Sequence, residues 1–271
     1  MPKIESEVVA RRVLPIIYVL DTSGSMSGDR IGALNAAMSE TVEVLKDVSK
    51  RNSDAEIKVG VLKFSTDAEW VTKNGLVFLE DFFWNDLTAG GTTEVARALA
   101  ALDEKLSKNQ FLKSNTGSYA PVLIFMTDGA PTDPGEWEKK LAEITKVNRW
   151  FEVATKIAIA VGSDDDSQDE RTKRRACLEK LVGNNEAVAE VDDLETLKKL
   201  IKFVSVSASI AYGTSRRVDD ALNGGDLMKD ATKKVDNPDN VKIGGDDPFV
   251  PTGSSDKKST QSGSDWDETG W

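Results

Sequence analysis

Apolar and polar positions follow two alternating rhythms along this chain. Pro15-Ile16-Ile17-Tyr18-Val19-Leu20 is an unbroken apolar run, the pattern of a strand buried on both faces. Ile31, Leu34, Met38, Leu45 and Val48 then recur near helical spacing, opposite Glu43, Lys46 and Asp47, which predicts an amphipathic helix. The segments EIKVGVLKFS (56–65) and EWVTK (69–73) read as strands, and the TDA between them (66–68) is short enough for a hairpin. That pair is predicted to be antiparallel, at a sheet edge. Val95, Leu99, Leu102 and Leu106 mark another helix, and PVLIFMTDG (121–129) is a second central strand. A helix over 135–147, a third central strand KIAIAVG (156–162) and a helix over 169–182 follow. A weak strand, EAVAEV (186–191), precedes a last helix that begins near Asp193 and carries Leu194, Leu197, Ile201 and Val204 on one stripe.

Strands alternating with helices of this length predict an α/β fold of the doubly wound, Rossmann-like kind. Its central sheet is mostly parallel with one antiparallel edge strand, and helices cover both faces. Such sheets bind ligands outside the carboxyl ends of their strands, where strand order reverses. Two apolar runs end there in an acid, the first in Asp21 and the later one in Asp128. If those strands are neighbours, the two carboxylates face one crevice.

The rhythm stops near Gly213. Residues 1–12 read as a lead-in, 13–212 as the α/β domain and 213–271 as a polar tail, mostly disordered, rich in Asp, Gly, Ser, Lys and Asn. Such a composition buries too little apolar surface to offset backbone ordering. The tail ends in SDWDETGW, where Trp266 and Trp271 are either anchors of a short binding motif or incidental to an unstructured terminus.

Composition removes whole classes of chemistry. The net charge of −11 argues against a nucleic-acid partner, because phosphate contacts need clustered Lys and Arg. One cysteine, Cys177, allows no disulfide within the chain, and no histidine is present. A Ser-His-Asp triad, a histidine base and zinc held by Cys or His are thereby excluded, so any metal must be held by oxygen. No stretch approaches the roughly 18 apolar residues of a membrane span, and the first residues lack a signal-peptide core. The expectation is a cytoplasmic protein without a membrane partner.

The candidate chemistry lies in three short stretches. In DTSGS, the Asp21, Ser23 and Ser25 side chains alternate, so a carboxylate and two hydroxyls converge if the segment is extended or loosely turning. Hard cations such as Mg²⁺ take oxygen ligands at roughly 2.0–2.1 Å. AGGTTEV brings Thr92 after a glycine pair at a helix entry, and FMTDG brings Asp128 and a turn glycine to a strand end. Read singly, each is bland: Ser25, Ser27 or Thr92 as a helix N-cap, TDG as a turn. An aspartate-nucleophile phosphatase needs a second acid two residues after the first, where this chain has Ser23. The acidic run Asp164-Asp165-Asp166 is read as a solvated loop, the alternative being added negative potential or a second ion near the site. Arg171, Lys173, Arg174 and Arg175 read as an exposed helix face, and Cys177 as buried rather than reactive.

The combination DTSGSMSG, GGT and FMTDG resembles the von Willebrand factor A domain with its metal-ion-dependent adhesion site, over about residues 13–210. The resemblance implies that Asp21, Ser23, Ser25, Thr92 and Asp128 bind a divalent cation, usually Mg²⁺, with Mn²⁺ or Ca²⁺ as alternatives. It also implies that a protein partner supplies a carboxylate to the metal and that the chain is not an enzyme. The family pattern selects Thr92 rather than Thr93. RRVLPIIYVLDTSGSMSGDRI and VSVSASI look most like the bacterial tellurium-resistance TerY-type branch. That likeness implies a cytoplasmic stress-response or signalling assembly with a serine/threonine kinase and a PP2C-type phosphatase. The rival readings are a metal-dependent hydrolase using Asp21 or Asp128, and a scaffold with a vestigial metal site.

Overall fold

A computed structural model of the chain describes residues 11–52, 55–72, 75–162, 166–213 and 222–236. Asp164, Asp165, Trp266 and Trp271 lie outside the described residues. Among the described residues, seven strands form one sheet: β1 (Arg12–Asp21), β2 (Ala55–Phe64), β3 (Ala68–Trp70), β4 (Val77–Phe78), β5 (Val122–Thr127), β6 (Thr155–Val161) and β7 (Val188–Val191). The helices are α1 (Asp29–Arg51), α2 (Val95–Lys105), α3 (Glu136–Val147), α4 (Arg149–Glu152), α5 (Gln168–Val182), α6 (Leu194–Gly213) and α7 (Gly224–Asp236).

The strand order is β3-β2-β1-β5-β6-β7, with β4 also paired to β2. Strands β2, β1, β5, β6 and β7 run parallel, while β3 and β4 pair antiparallel with β2. The predicted hairpin edge is therefore present, and the very short β4 extends it. Strand order reverses at β1, whose neighbours are β2 on one side and β5 on the other. This is the switch point where a doubly wound sheet opens a crevice.

Successive strand side chains point to opposite faces, and burial follows that parity. Leu14, Ile16, Tyr18 and Leu20 of β1 join Ile124 and Met126 of β5 in a core covered by α1, α6 and α7. Ile17 and Val19 join Leu123 and Phe125 in a second core with Leu99 of α2, Ile144 of α3 and Leu178 of α5. Both faces are covered, which is why the central strands read as near-continuous apolar runs. Each fully buried large aliphatic side chain contributes about 1.5–3 kcal/mol.

Composition places residues 213–271 in a polar tail, but 224–236 form α7. Leu227, Met228 and Ala231 are buried with the α1 and α6 side chains. The stripe is narrow and interleaved with Lys229, Asp230, Lys233 and Lys234, so average composition hides it. The Ser207 hydroxyl of α6 donates to Asp230 at 2.8 Å. Gly224 is needed where α7 starts, because a Cβ there would lie 2.4 Å from the Lys156 carbonyl oxygen. Gly224→Ala is expected to destabilise the full chain by about 1–3 kcal/mol, the usual cost of overpacking, measured by urea unfolding.

Candidate metal centre

Sheet register delivers the first carboxylate. Leu20 of β1 lies opposite Met126 of β5, so continuing the register sets Asp21 beside Thr127, with Asp128 immediately after it. The Thr127 hydroxyl donates to Asp21 Oδ2 at 2.5 Å, and the Ser23 backbone N–H donates to Asp21 Oδ1 at 2.7 Å. Asp21 is fully buried and Asp128 nearly so.

The chain then turns. Ser23 is extended, and Gly24–Met26 make one 3-10 turn that the fully buried Met26 ties to the core. This carries Ser23 Oγ to 3.1 Å from Ser25 Oγ, and the Ser25 hydroxyl donates to Asp128 Oδ1 at 2.8 Å. Asp21, Ser23, Ser25 and Asp128 thus form one hydrogen-bonded group across 103 positions of sequence between Ser25 and Asp128.

Thr92 reaches the same place through the backbone. The Gly90 N–H donates to the Thr22 carbonyl at 2.8 Å, and the Gly24 N–H donates to the Gly91 carbonyl at 2.9 Å. Gly91 has φ +88°, and a Cβ there would lie 2.5 Å from Thr66 Oγ1, so this position takes glycine. Thr92 is exposed, and its hydroxyl donates towards Thr66 Oγ1 at 3.2 Å and Glu94 Oε1 at 3.3 Å. It stands beside the serine turn but outside the hydrogen-bonded group. Thr93 is buried, and its N–H donates to Thr132 Oγ1 at 3.0 Å.

Burial dominates the electrostatics. It pushes the Asp21 carboxyl up to about 6, against the hydrogen bonds from Thr127 and Ser23. Burial also raises Asp128, opposed by the Ser25 hydroxyl and by Arg30. Arg30 donates to Asp128 Oδ2 at 2.8 Å and pairs through its other terminal nitrogen with Asp166.

Arg174 corrects the reading of its segment as an exposed basic face. It is 2% exposed, donating to the Asp128 carbonyl at 2.9 Å and to Asp166 Oδ2 at 2.8 Å, and pairing with Glu190. A buried guanidinium persists only with such partners, and here they come from three separate segments. Cys177 is half-buried beside Trp137, Leu178 and Leu181 at a small apolar cavity of about 20 Å³, and burial raises its thiol. Sequence reasoning missed Thr127, Arg30 and Arg174 as members of this neighbourhood, and had Asp166 near the site only as the alternative to a solvated loop. The position of Thr127 directly before the strand-end Asp128 was the available signal for the first; the two arginines had none.

The donor set fits a hard cation. Among the described residues, no cluster of three or more His, Cys, Asp or Glu side chains is placed to hold a metal, so hydroxyls must contribute. Octahedral bonds of 2.0–2.1 Å require neighbouring ligand oxygens about 2.9 Å apart. The Ser23–Ser25 oxygen separation is 3.1 Å.

Residues 16–203 match the von Willebrand factor type A domain. The fold is similar to the pilus adhesin SpaC from Lactobacillus rhamnosus GG in its open conformation, at 13% identity and TM-score 0.56, covering 74% of this chain and 30% of that one. It is similar to the PilB minor pilin from Streptococcus sanguinis at 14% identity and TM-score 0.54, covering 76% and 62%. It is also similar to proximal thread matrix protein 1 from the mussel byssus at 18% identity and TM-score 0.51, covering 73% and 49%. At these identities the likeness is one of fold, and the aligned part is less than two thirds of each of those proteins. No curated protein sequence matches the chain.

Proposed function

This chain belongs to the von Willebrand factor type A domain family, and from that premise we propose that it is a divalent-metal-dependent protein-binding module. The observation that carries the reading is the hydrogen-bonded run Asp21–Ser23–Ser25–Asp128 at the carboxyl ends of two adjacent strands. Ser23 and Ser25 offer hydroxyls to Mg²⁺, with Mn²⁺ or Ca²⁺ as substitutes. Asp21 and Asp128 hold water and supply the negative charge, and Thr92 joins in one state of the domain. When bound, the ion supplies an exchangeable position for a carboxylate of a partner protein. Asp21 is fixed for its part by Thr127 and by the Ser23 N–H, so it orients the serine turn.

The finer placement rests on the sequence likeness to the tellurium-resistance TerY-type branch. It makes this a cytoplasmic component of a bacterial stress-response or signalling assembly, partnered with a serine/threonine kinase and a PP2C-type phosphatase. Among the described residues, no helix is long and apolar enough to cross a membrane. The module binds and does not catalyse: Ser23 stands where a phosphatase would carry its second acid, and no histidine base is available.

Calorimetric titration with Mg²⁺ tests the site. Wild type is expected to bind and the Ser23→Ala/Ser25→Ala double variant to lose binding, with its melting midpoint retained. No binding by wild type would sink the metal reading and leave a scaffold with a vestigial site. Phosphoester or ATP turnover that disappears in Asp21→Ala would replace the binding module with a hydrolase. Capture of a partner by the full chain, abolished by EDTA, is the expected functional result.

A further inference from the structure

The cage already contains a cation of its own. Arg30 sits in the first turn of α1, just after Gly28, whose φ of +78° turns the chain into the helix. The two oxygens of Asp128 are divided between partners. Oδ1 accepts from the Ser25 hydroxyl at 2.8 Å, while Oδ2 accepts from Arg30 at 2.8 Å. Arg30 also donates to the Ser25 carbonyl at 3.3 Å. Its far side is held by Asp166, which is held in turn by the buried Arg174. The arginine is therefore pinned over the site rather than swinging in solvent, with its side chain 21% exposed.

This placement changes the charge of the site. Asp21 and Asp128 bring two negative charges and Arg30 returns one, while Asp166 and the buried Arg174 behind it offset each other, so the cage carries a single net negative charge. A divalent ion makes the loaded cage positive by one; without the arginine it would be neutral. We propose that Arg30 sets the specificity of the site. It weakens the hold on the metal and keeps the loaded site positive, so that a carboxylate ligand binds more tightly and metal and ligand bind cooperatively. This rests on the metal-centre reading above. Arg30 leaves Asp128 Oδ1 and both serine hydroxyls able to face an ion, so it tunes the site without blocking it.

The test uses the full chain, Mg²⁺ alone, and then acetate as a minimal carboxylate. Arg30→Gln is expected to bind Mg²⁺ about tenfold tighter or more, the scale of a charge interaction over a few ångströms in a partly solvated site. Arg30→Lys keeps the charge and is expected to stay near wild type. Acetate is expected to raise the melting midpoint of Mg²⁺-saturated wild type more than that of Mg²⁺-saturated Arg30→Gln. Binding by Arg30→Gln alone would overturn it, because Arg30 would then block the site rather than tune it. Unchanged or weaker binding by Arg30→Gln beside a binding wild type overturns it, reducing Arg30 to a prop for Asp128. A Lys variant that behaves like Gln also overturns it, because charge would then not be the cause. No binding by any of the three proteins overturns the metal-centre reading itself.

Discussion

Arg174→Ala is expected to lower the unfolding free energy by about 3 kcal/mol or more, the cost of breaking a buried ion pair from one side. Arg174 is 2% exposed and joins Asp166, Glu190 and the Asp128 carbonyl. Its removal leaves that carbonyl without the donor and takes one cation each from Asp166 and Glu190. The loss is held near the lower end because Asp166 keeps Arg30 and Glu190 keeps Arg171, 3.6 Å away. Arg174→Met fills the same space without the charge, so a similar loss identifies electrostatics rather than packing as the cause. Adding Glu190→Gln to Arg174→Met should recover part of the loss. Urea unfolding at fixed pH measures all three.

Asp21→Asn has the opposite sign. The substituted side chain retains an oxygen for the Ser23 N–H, and its amide can donate to the Thr127 hydroxyl, which turns towards the Gly129 carbonyl 3.3 Å away. What disappears is a buried charge. Burial raises the Asp21 carboxyl from 3.8 to about 6, so the fold favours the protonated form. This group therefore costs nothing below the unfolded value, and stability falls as pH rises from there through about 6. At neutral pH the metal-free wild type is expected to be about 2–3 kcal/mol less stable than Asp21→Asn. The gap should close as pH falls to about 4, the ordinary range for Asp. Saturating Mg²⁺ should close it from the other direction, by stabilising wild type and leaving the variant unmoved. A variant as unstable as wild type without metal, or one that still responds to Mg²⁺, would refute this account of Asp21. Melting curves across pH, with and without Mg²⁺, give the answer.

Much of the fold was legible because its central strands are buried twice. Ile16 and Ile17 face different cores, yet both must be apolar, so β1 announces itself as a run. The same holds for β5 and β6. The candidate site was legible because Asp21 and Asp128 close two such runs, and register then sets Asp21 beside Thr127, one position from Asp128. Local pattern fails where the determining contact is remote. Arg30 and Asp128 are 98 positions apart, and Arg174 and the Asp128 carbonyl 46. An arginine in the run Arg171–Arg175 looks solvated until the partners from the end of β5, from β7 and from the loop before α5 are in place. The α7 stripe of Leu227, Met228 and Ala231 was hidden by the lysines and acids between them. Thr92 and Thr93 are adjacent and chemically alike, and in the structure it is their opposite exposure that distinguishes them, Thr92 outward and Thr93 buried.

The two backbone hydrogen bonds between residues 22–24 and 90–91 also have a mechanical side. A partner that grips the loop carrying Thr92 pulls on the end of β1 through peptide groups, with no flexible side chain in the path. β1 is paired along ten residues with β2 and along five with β5. Tension along its axis is then shared by many parallel bonds in shear rather than opened one at a time. The sheet end of this path is therefore its firmer part: two hydrogen bonds join the loop to the end of β1, while β1 itself is held along its length.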